Sequence, residues 1–491
     1  MQSKTNAQPI NLKNLKKSPA NLFNQLINIF LSVLCLFSIV LLATTTNKNL
    51  PWCYFGIFKI KAFTLLIWSV VSFFSAIISV YSSTYLKGFK YHSRFTGLCL
   101  GFTLSVMIFV TCDHIIALSL AWFTMGFFMA RLIGIINGWP EARQAAGFAQ
   151  KYFLCSGAAL TAGVLILGFA TNNFTLSGIT ATLNSLPKAV WLSSSILIIT
   201  AALIQSAIYP FHRWLLSAMT APTPASALMH AGFVNGSGIL LTLFAPVLLK
   251  ADALSILFVT GGITAIAAQF SKLLQTSIKQ KLACSTIAQM GFMIMQCGLG
   301  FFNAAVTHLI LHGFYKAYLF LSSGEQVQVS APGKPLAIKI SPQHAVAVLI
   351  AGILGAGCFA ILTGKGIIIN SGIFLTLIVA ITVGQATYNI VKQQSLSVGR
   401  KIYLPVLLYS AGMGSYALIY NGLSRVMSDM PDVESPTALS PLHILFGLIF
   451  LSGFFVMKLG IYKKWSWLYV KLLNDSQPYK KTILLSKNQS L

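Results

Sequence analysis

Three basic residues recur every four positions in the segment THLILHGFYKA: His308, His312 and Lys316. We call them the basic row. In an α-helix this spacing separates successive side chains by about 40°, so all three project from one face and span about 12 Å of its length. Histidine exchanges protons near neutral pH, and a lysine removed from water releases its proton more readily, so the row favours stepwise proton transfer. Hydrogen bonding between helices is the structural alternative. A metal site is a third interpretation, but no carboxylate or thiolate nearby in sequence completes the HxxxH pair.

Another histidine follows two prolines in the segment YPFHRWLLSAMTAPTPASALMHAGFVNGSG. Pro222 and Pro224 lack amide donors and resist helix formation, so we expect a broken helix near residues 220–226. Broken helices mark ion sites in transporters. His230 lies about one and a half turns into the following span. We favour proton handling by His230, with a buried structural histidine as the competing interpretation.

The remaining polar groups within apolar runs are uncharged, and each can orient water. They are Gln205, Ser206, Ser285, Gln289, Gln296, Gln385 and Asn389. Of these, Gln205 and Gln289 join His230 and the basic row as candidates for a proton pathway. The acidic residues Asp113, Glu141 and Asp252 are expected at span ends or in loops. The sequence predicts no buried carboxylate in a span, which is unusual because acids commonly anchor proton relays in membranes.

The elements that must hold these groups are strongly apolar. The chain has 491 residues, of which 56% are hydrophobic and 9% are charged, whereas a soluble globular chain is about 25% charged. This composition excludes a water-soluble enzyme. Lys and Arg number 34 against 8 Asp and Glu, a formal net charge of +26. These basic residues are scattered between apolar runs, which argues against a nucleic-acid surface.

Runs of about 20 apolar residues cross a membrane as helices, which satisfy every backbone group internally. The sequence predicts an all-α polytopic membrane protein, and we expect the first run to be a retained span rather than a signal peptide. About fourteen spans are expected, at 22–43, 62–86, 95–112, 114–130, 152–170, 189–208, 225–249, 253–270, 282–300, 303–323, 345–364, 366–390, 402–422 and 440–457.

The distribution of Lys and Arg predicts the orientation of these spans. The connections after even-numbered spans hold 15 Lys and Arg, and those after odd-numbered spans hold 7. Because positive charge accumulates in cytoplasmic loops, the even-numbered connections and both termini are expected in the cytoplasm. The eight cysteines show no metal-binding spacing and are expected to be small buried hydrophobes. Nucleotide-binding motifs are also missing, so an ion gradient or a partner is the expected energy source.

Three segments resemble the proton-conducting antiporter-like subunits, which include respiratory NADH dehydrogenase chain 5 and Mrp-type Na⁺/H⁺ antiporter subunits. They are QSAIYPFHRWLLSAMTAPTPASALMHAGFVNGSG, LACSTIAQMGFMIMQCGLG and HGFYKAYLFLSSG. The resemblance covers roughly residues 60–325, and the wording is closely similar to the DabB family of two-component inorganic carbon transporters. This implies a cytoplasmic basic N-terminus (1–21), an antiporter-like proton-conducting core (22–325), C-terminal transmembrane helices (326–461) and a cytoplasmic basic tail (462–491).

The resemblance also implies a function. In the DabB family the membrane subunit conducts protons and energises a cytoplasmic, zinc-containing, carbonic-anhydrase-like partner called DabA, so that CO₂ hydration to bicarbonate becomes effectively one-way. It implies a transporter subunit of the bacterial inner membrane that is not itself an enzyme and has no cofactor. Zinc is expected only in the partner. The expected partners are a DabA-like protein, protons and membrane lipid, with no nucleic acid.

The family's functional residues carry over unevenly. His230 matches the histidine of the SALxHA motif, and the basic row matches the HxxxHxxxK pattern. Where the respiratory subunits have a glutamate after a span tryptophan and a lysine before the SAQxPxHxW segment, this chain has Phe123 and Gln205. Because this Glu/Lys pair is missing, the chain departs from the standard antiporter mechanism, although the histidines are retained. The 30 residues after Ile461 are expected to be too few for the lateral helix of chain 5.

Three other functions compete with a carbon-uptake subunit. The first is a proton-pumping subunit of a respiratory NADH dehydrogenase or hydrogenase complex, which the missing pair disfavours. The second is a stand-alone Na⁺/H⁺ antiporter. The third is a structural scaffold, which the lack of buried carboxylates supports.

Overall fold

The computed structural model describes residues 19–45, 51–323, 342–391 and 397–482. It is built almost wholly of helices, with one short hairpin of strands β1 (Trp52–Tyr54) and β2 (Phe58–Ile60). The helices are α1 (Pro19–Thr45), α2 (Ala62–Tyr85), α3 (His92–Thr111), α4 (Ile115–Ile133), α5 (Pro140–Thr171), α6 (Leu176–Thr182), α7 (Lys188–Gln205), α8 (Arg213–Ser217), α9 (Thr223–Leu228), α10 (Gly236–Leu243), α11 (Ala245–Lys250), α12 (Leu254–Leu273), α13 (Ile278–Gly298), α14 (Phe302–Ser323), α15 (Pro342–Thr363), α16 (Gly372–Val391), α17 (Val398–Val426), α18 (Pro441–Leu459) and α19 (Ser466–Asp475).

Each of the fourteen predicted spans corresponds to a helical segment, which confirms the all-α polytopic fold. Within the described ranges, ten helical segments are long and apolar enough to cross a membrane, and α15 and α18 contain shorter apolar stretches. The two remaining segments, α13 and α14, carry many of the polar residues discussed above, and they are packed inside the bundle. The chain is therefore a multi-pass membrane protein whose least apolar spans are shielded by the others.

The connections after odd-numbered spans meet at one end of the bundle, which we call the odd face. Single backbone bridges join these connections: Phe58 to Cys112, His114 to Thr175, Phe301 to Glu434 and Asn370 to Ala438. The opposite end, the even face, gathers the even-numbered connections that the structure describes. There the Asp475 carboxylate lies 3.7 Å from Arg213, and the rings of Phe148 and Tyr479 stack at 4.2 Å. The alternation of the described connections between two faces agrees with the predicted number of crossings.

The predicted break lies where expected and extends further along the chain. Pro222 precedes α9, and Pro224 occupies its first turn, where a missing amide donor costs no hydrogen bond. The helix then widens into a π-helical turn at Met229–Phe233 before α10 begins. The seventh span is thus divided into short pieces, and its irregular part reaches His230.

Helices α12 and α13 make a close contact. A Cβ atom placed on Gly291 of α13 would lie 2.7 Å from the backbone nitrogen of Ala265 in α12. The glycine therefore allows the two backbones to touch, as small residues commonly do between membrane helices.

All eight cysteines are free. The prediction that the cysteines are buried is wrong for Cys53 and Cys155, which lie at the surface of the bundle and are exposed.

Some predicted features lie outside the described residues. These include residues 1–18 of the N-terminal segment, residues 483–491 of the tail, and the basic residues Lys48, Lys334, Lys339 and Lys392 that contributed to the orientation argument. The division of the chain into four regions stays a prediction.

Candidate functional site

The basic row lies on α14, as the sequence spacing predicts, and is mostly buried. His312 is 5% exposed and Lys316 is fully buried, whereas His308 is partly buried. The ring centroids of His308 and His312 lie 6.2 Å apart. The Lys316 ammonium donates a hydrogen bond of 3.1 Å to the backbone carbonyl of Leu282 in α13. One face of one helix therefore presents three proton-exchanging groups in succession.

His230 reaches the same helix from the broken span. It is fully buried on the π-helical turn, and its ring stacks at 4.4 Å and 12° on Phe320, one turn beyond Lys316 on α14. π-Helical turns inside α-helices are frequent at functional sites because they redirect side chains. The structure thus brings His230 to the row, which the sequence did not establish.

Among the described residues, the two buried histidines have no hydrogen-bond partner: neither ring nitrogen of His230 and neither of His312 is paired. An unpaired buried polar group costs about 1–3 kcal/mol, so partners such as water are expected there. The ion pairs in the described part of the chain are Arg213–Asp475 and Lys365–Glu434, so neither neutralises the row. Histidine, lysine and water can move a proton between them without a fixed counter-charge.

Asn235 holds the broken span against α14. Its side-chain amide donates to the carbonyl of Ala231, at 2.8 Å, and to the carbonyl of Leu309, at 3.1 Å. Leu309 follows His308 directly. A hydrogen bond between Ser206 and Ser237 joins the same span to the end of α7. These contacts fix the position of the π-helical turn relative to the row.

Gln205 lies at the last position of α7 and is 1% exposed. Its side-chain nitrogen has no hydrogen-bond partner among the described residues. Its neighbour Ser206, rather than Gln205 itself, makes the contact with the broken span. The position is therefore close to the break, and its part in a proton pathway stays a prediction.

At the position where the respiratory subunits have a glutamate, this chain has Phe123, whose ring packs against α5. A Cβ atom on Gly157 of α5 would lie 2.4 Å from the Phe123 ring, so this glycine accommodates the ring. Trp122 donates a 3.0 Å hydrogen bond to Ser156, which in turn donates to the carbonyl of Ala201 in α7. These contacts tie α4, α5 and α7 together without a charge.

Gln289 lies in a different environment from the basic row. It lines a cavity of about 570 Å³ between α12, α13, α16 and α18, together with Gln269, Gln385 and Asn389. Phe292 lines the same cavity, and its ring lies 5.3 Å from that of His308. The aromatic ring therefore stands between the amide-lined cavity and the row. Three of these four amides, Gln289, Gln385 and Asn389, were identified within predicted spans, but their spacing in the sequence does not indicate that they line one cavity.

Two charged residues that fall between the predicted spans form a cluster at the odd face, in which the lysine is buried and the glutamate is partly exposed. Lys365 pairs with Glu434 at 2.8 Å, and its side chain is 1% exposed. Burial lowers the pKa of Lys365. Burial acts to raise the pKa of Glu434, but the Lys365 ammonium and hydrogen bonds to the carboxylate hold it below its usual range. No sequence signal predicted this pair, because its members are 69 residues apart.

Residues 112–388 match the protein family described as NADH:quinone oxidoreductase/Mrp antiporter, TM. The chain is 38% identical over 267 residues to the probable inorganic carbon transporter subunit DabB1 of Halothiobacillus neapolitanus. That alignment covers 52% of this chain and 47% of the relative, so the chain spans about half the length of that protein. The chain is 30% identical over 439 residues to the probable inorganic carbon transporter subunit DabB of Bacillus anthracis, covering 87% of this chain and 83% of the relative.

The fold is similar to a chain in the solved structure of the Mrp complex from Dietzia sp. DQ12-45-1b. The TM-score is 0.62 at 19% sequence identity, and the match covers 92% of this chain and 56% of that chain. At this identity the similarity concerns the fold alone.

Proposed function

The chain belongs to the NADH:quinone oxidoreductase/Mrp antiporter membrane family and is of the DabB type, and from this premise we propose that it conducts protons as a subunit of an inorganic carbon uptake complex. The proton gradient would energise a cytoplasmic partner of the DabA kind, in which zinc-dependent hydration of CO₂ takes place. The proposed location is the bacterial inner membrane, with the even face toward the cytoplasm.

The observation that carries this proposal is the meeting of His230 with the basic row. Two helices far apart in sequence place four proton-exchanging side chains within one buried region. Buried ionisable groups are expensive in a membrane and are functional by default. If these histidines had only a structural role, we would expect their ring nitrogens to be hydrogen-bonded. Among the described residues, no ring nitrogen of His230 or His312 has a hydrogen-bond partner.

The order of groups along α14 defines the proposed path between the two faces. His308 is the member nearest the odd face, and Lys316 is nearest the even face, about 12 Å away along the helix. His230 lies beside the Lys316 end through its contact with Phe320. A proton entering from the odd face would pass from His308 to His312 and reach the Lys316 and His230 region through water. Phe123 and Gln205 replace the charged pair of the respiratory subunits, so the transfer must proceed through the row and His230 without that pair.

The even face offers a docking surface for an acidic partner. A cavity of about 340 Å³ is lined by Arg94, Arg131 and Arg143, from the ends of α3, α4 and α5, with Asn137 and Gln150 beside them. Guanidinium groups bind carboxylates through paired hydrogen bonds. This surface supports the proposed docking of a cytoplasmic subunit. Because the surface is positively charged, we expect the partner's interface to be negatively charged.

Coexpression with a DabA-like partner in a host lacking carbonic anhydrase tests the proposal. We expect rescue of growth in ambient air, and loss of rescue when the proton gradient is collapsed by an uncoupler. Failure of rescue with both proteins demonstrably in the membrane would contradict it.

Two outcomes would favour the competing functions. Co-purification with an iron–sulfur or quinone-reducing subunit would favour a respiratory complex. Sodium-dependent pH recovery in everted vesicles that contain this chain alone would favour a stand-alone antiporter. The proposal predicts neither result.

A further inference from the structure

The cluster at the odd face holds a lysine away from water. The Lys365 side chain is 1% exposed, and its ammonium lies 2.8 Å from Glu434. The same ammonium lies 3.9 Å from the ring centroid of Phe301 and 4.5 Å from that of Tyr420. Aromatic faces attract cations, so this positive charge is held by one carboxylate and two rings.

Glu434 differs from its partner because it faces solution and the protein at the same time. Its side chain is 43% exposed. On the protein side its Oε2 accepts a 2.7 Å hydrogen bond from Asn303, and its Oε1 accepts a 3.0 Å hydrogen bond from Tyr420. Asn303 lies in the first turn of α14. Within the described residues, Glu434 is therefore the carboxylate that hydrogen-bonds to the helix carrying the basic row.

Backbone contacts hold this arrangement in place. Phe301 and Glu434 form a backbone bridge, and the Ser371 hydroxyl donates to the carbonyl of Leu299 at 2.7 Å. The connections after the ninth, eleventh and thirteenth spans thus meet at the start of α14.

Few other charged groups of the described residues face the carboxylate: the titratable groups around Glu434 there are Lys365 and Tyr420. Lys61, from the connection after the first span, lies 3.6 Å from the Met430 sulfur, and the neighbouring acids Asp429 and Asp432 are exposed. The charge that controls protonation of Glu434 is therefore that of Lys365.

We infer that Glu434, held by Lys365, is the group that exchanges protons between the solution at the odd face and the basic row. This inference rests on the proposed proton conduction. It supplies the acidic group that the predicted membrane spans lack, and it lies in a connection where no sequence pattern indicated one.

The transfer is balanced in protons. A hydronium ion in solution gives its proton to the exposed edge of the Glu434 carboxylate, which leaves water and a neutral carboxylic acid. The acid passes the proton through water to a ring nitrogen of His308, and Glu434 returns to the carboxylate. His308 lies five residues beyond Asn303, about 7.5 Å along the helix axis, so water must bridge the gap. Lys365 keeps its proton throughout.

The lysine favours rapid release of the proton from Glu434. A neutral Glu434 leaves the buried ammonium without its counter-charge, which is unfavourable in a medium of low dielectric constant. The neutral acid is therefore short-lived and releases its proton instead of storing it. A purely structural pair would not require one member to face solution.

Proton flux into liposomes containing the full-length chain, purified with any subunit that remains bound, tests this inference. Glu434→Gln keeps the shape and hydrogen-bonding groups of the side chain but cannot titrate. We expect flux to fall about 100-fold, the lower part of the range for loss of a positioned proton-transfer group. Asp432→Asn, on the same connection, is the matched control and should conduct normally.

The double variant Lys365→Met with Glu434→Gln separates conduction from folding. Replacing both members of a buried ion pair by uncharged groups is often neutral for stability, so we expect a folded protein whose flux remains low. The single variant Lys365→Met removes the cation that lowers the pKa of Glu434, so the dependence of flux on odd-face pH should move to higher pH. A structural pair predicts no such shift.

The outcomes separate this inference from the proposed function. Unaltered flux in the folded double variant, or an unchanged pH profile in Lys365→Met, would overturn the inference while leaving proton conduction in place. If the double variant does not fold, the pH profile of Lys365→Met decides alone. An unaltered chain that conducts no protons would contradict the proposed function itself.

Discussion

The two ends of α14 hold buried positive charge in opposite ways. At its first turn, Lys365 has a carboxylate at 2.8 Å and two aromatic faces around it. In its second half, Lys316 has one carbonyl partner at 3.1 Å, and the histidines beside it have unpaired ring nitrogens among the described residues. The first arrangement fixes a charge in place, whereas the second leaves groups that are stable only if protons and water reach them.

This difference assigns different tasks to the two ends. A compensated pair resists a change of protonation in its buried member, so it suits an exchange point with solution. An uncompensated row is sensitive to each proton that arrives, so it suits transport through the membrane interior. Helix α14 joins them and provides a fixed spacing between the two.

The largest expected effect is on proton flux when the row is broken. His312→Ala should reduce flux in proteoliposomes by about 10²–10⁴-fold, the range for loss of a positioned acid–base group. His312→Gln, which can hydrogen-bond but cannot become a cation near neutral pH, should be equally impaired. His114→Ala, on the odd face away from the row, is the control. Normal flux in His312→Gln would mean that the side chain acts only by hydrogen bonding.

A smaller effect is expected on stability at the paired end, and it should be asymmetric. Glu434→Gln leaves the buried Lys365 ammonium without its counter-charge, whereas Lys365→Met leaves a carboxylate that is 43% exposed to solution. We expect a loss of about 1–3 kcal/mol for Glu434→Gln, because a buried group loses its partner, and a smaller loss for Lys365→Met. Thermal unfolding in detergent measures both. Equal losses would show that the exposure of the two partners does not control the pair.

The smallest effect is expected at the amide-lined cavity. Gln289→Leu should change proton flux by less than about tenfold, because Phe292 stands between this cavity and His308 and no proton-exchanging group is lost. Gln385→Leu, on the opposite wall of the same cavity, is the matched variant. A loss as large as that of His312→Ala would place Gln289 in the main pathway, as the sequence analysis predicted, and would make the cavity part of the row's water network.

Several features follow from local rules and were predictable. The fourteen spans and their alternation follow from the length of apolar runs, since a membrane offers no partners to an unpaired backbone. The common face of His308, His312 and Lys316 follows from helix periodicity alone. The break before His230 follows from the geometry of Pro222 and Pro224.

The pairings between distant segments were not predictable. Lys365 and Glu434 fall in separate connections, and no sequence pattern indicates that Gln289 shares a cavity with Gln385 and Asn389. No pattern indicates that His230 stacks on Phe320 either. Periodicity reports which residues share one helix face, but it carries no information on which face another helix covers.

The amino-acid sequence by itself determined which groups in this protein carry charge and which helix carries the basic row, because composition and helical spacing are local properties. Only the tertiary structure decided which of those charges are compensated. Desolvation and counter-charge depend on the neighbours that packing brings close, and for Lys365 and Glu434 those neighbours come from three connections and from helices α14 and α17, which meet only in the folded chain.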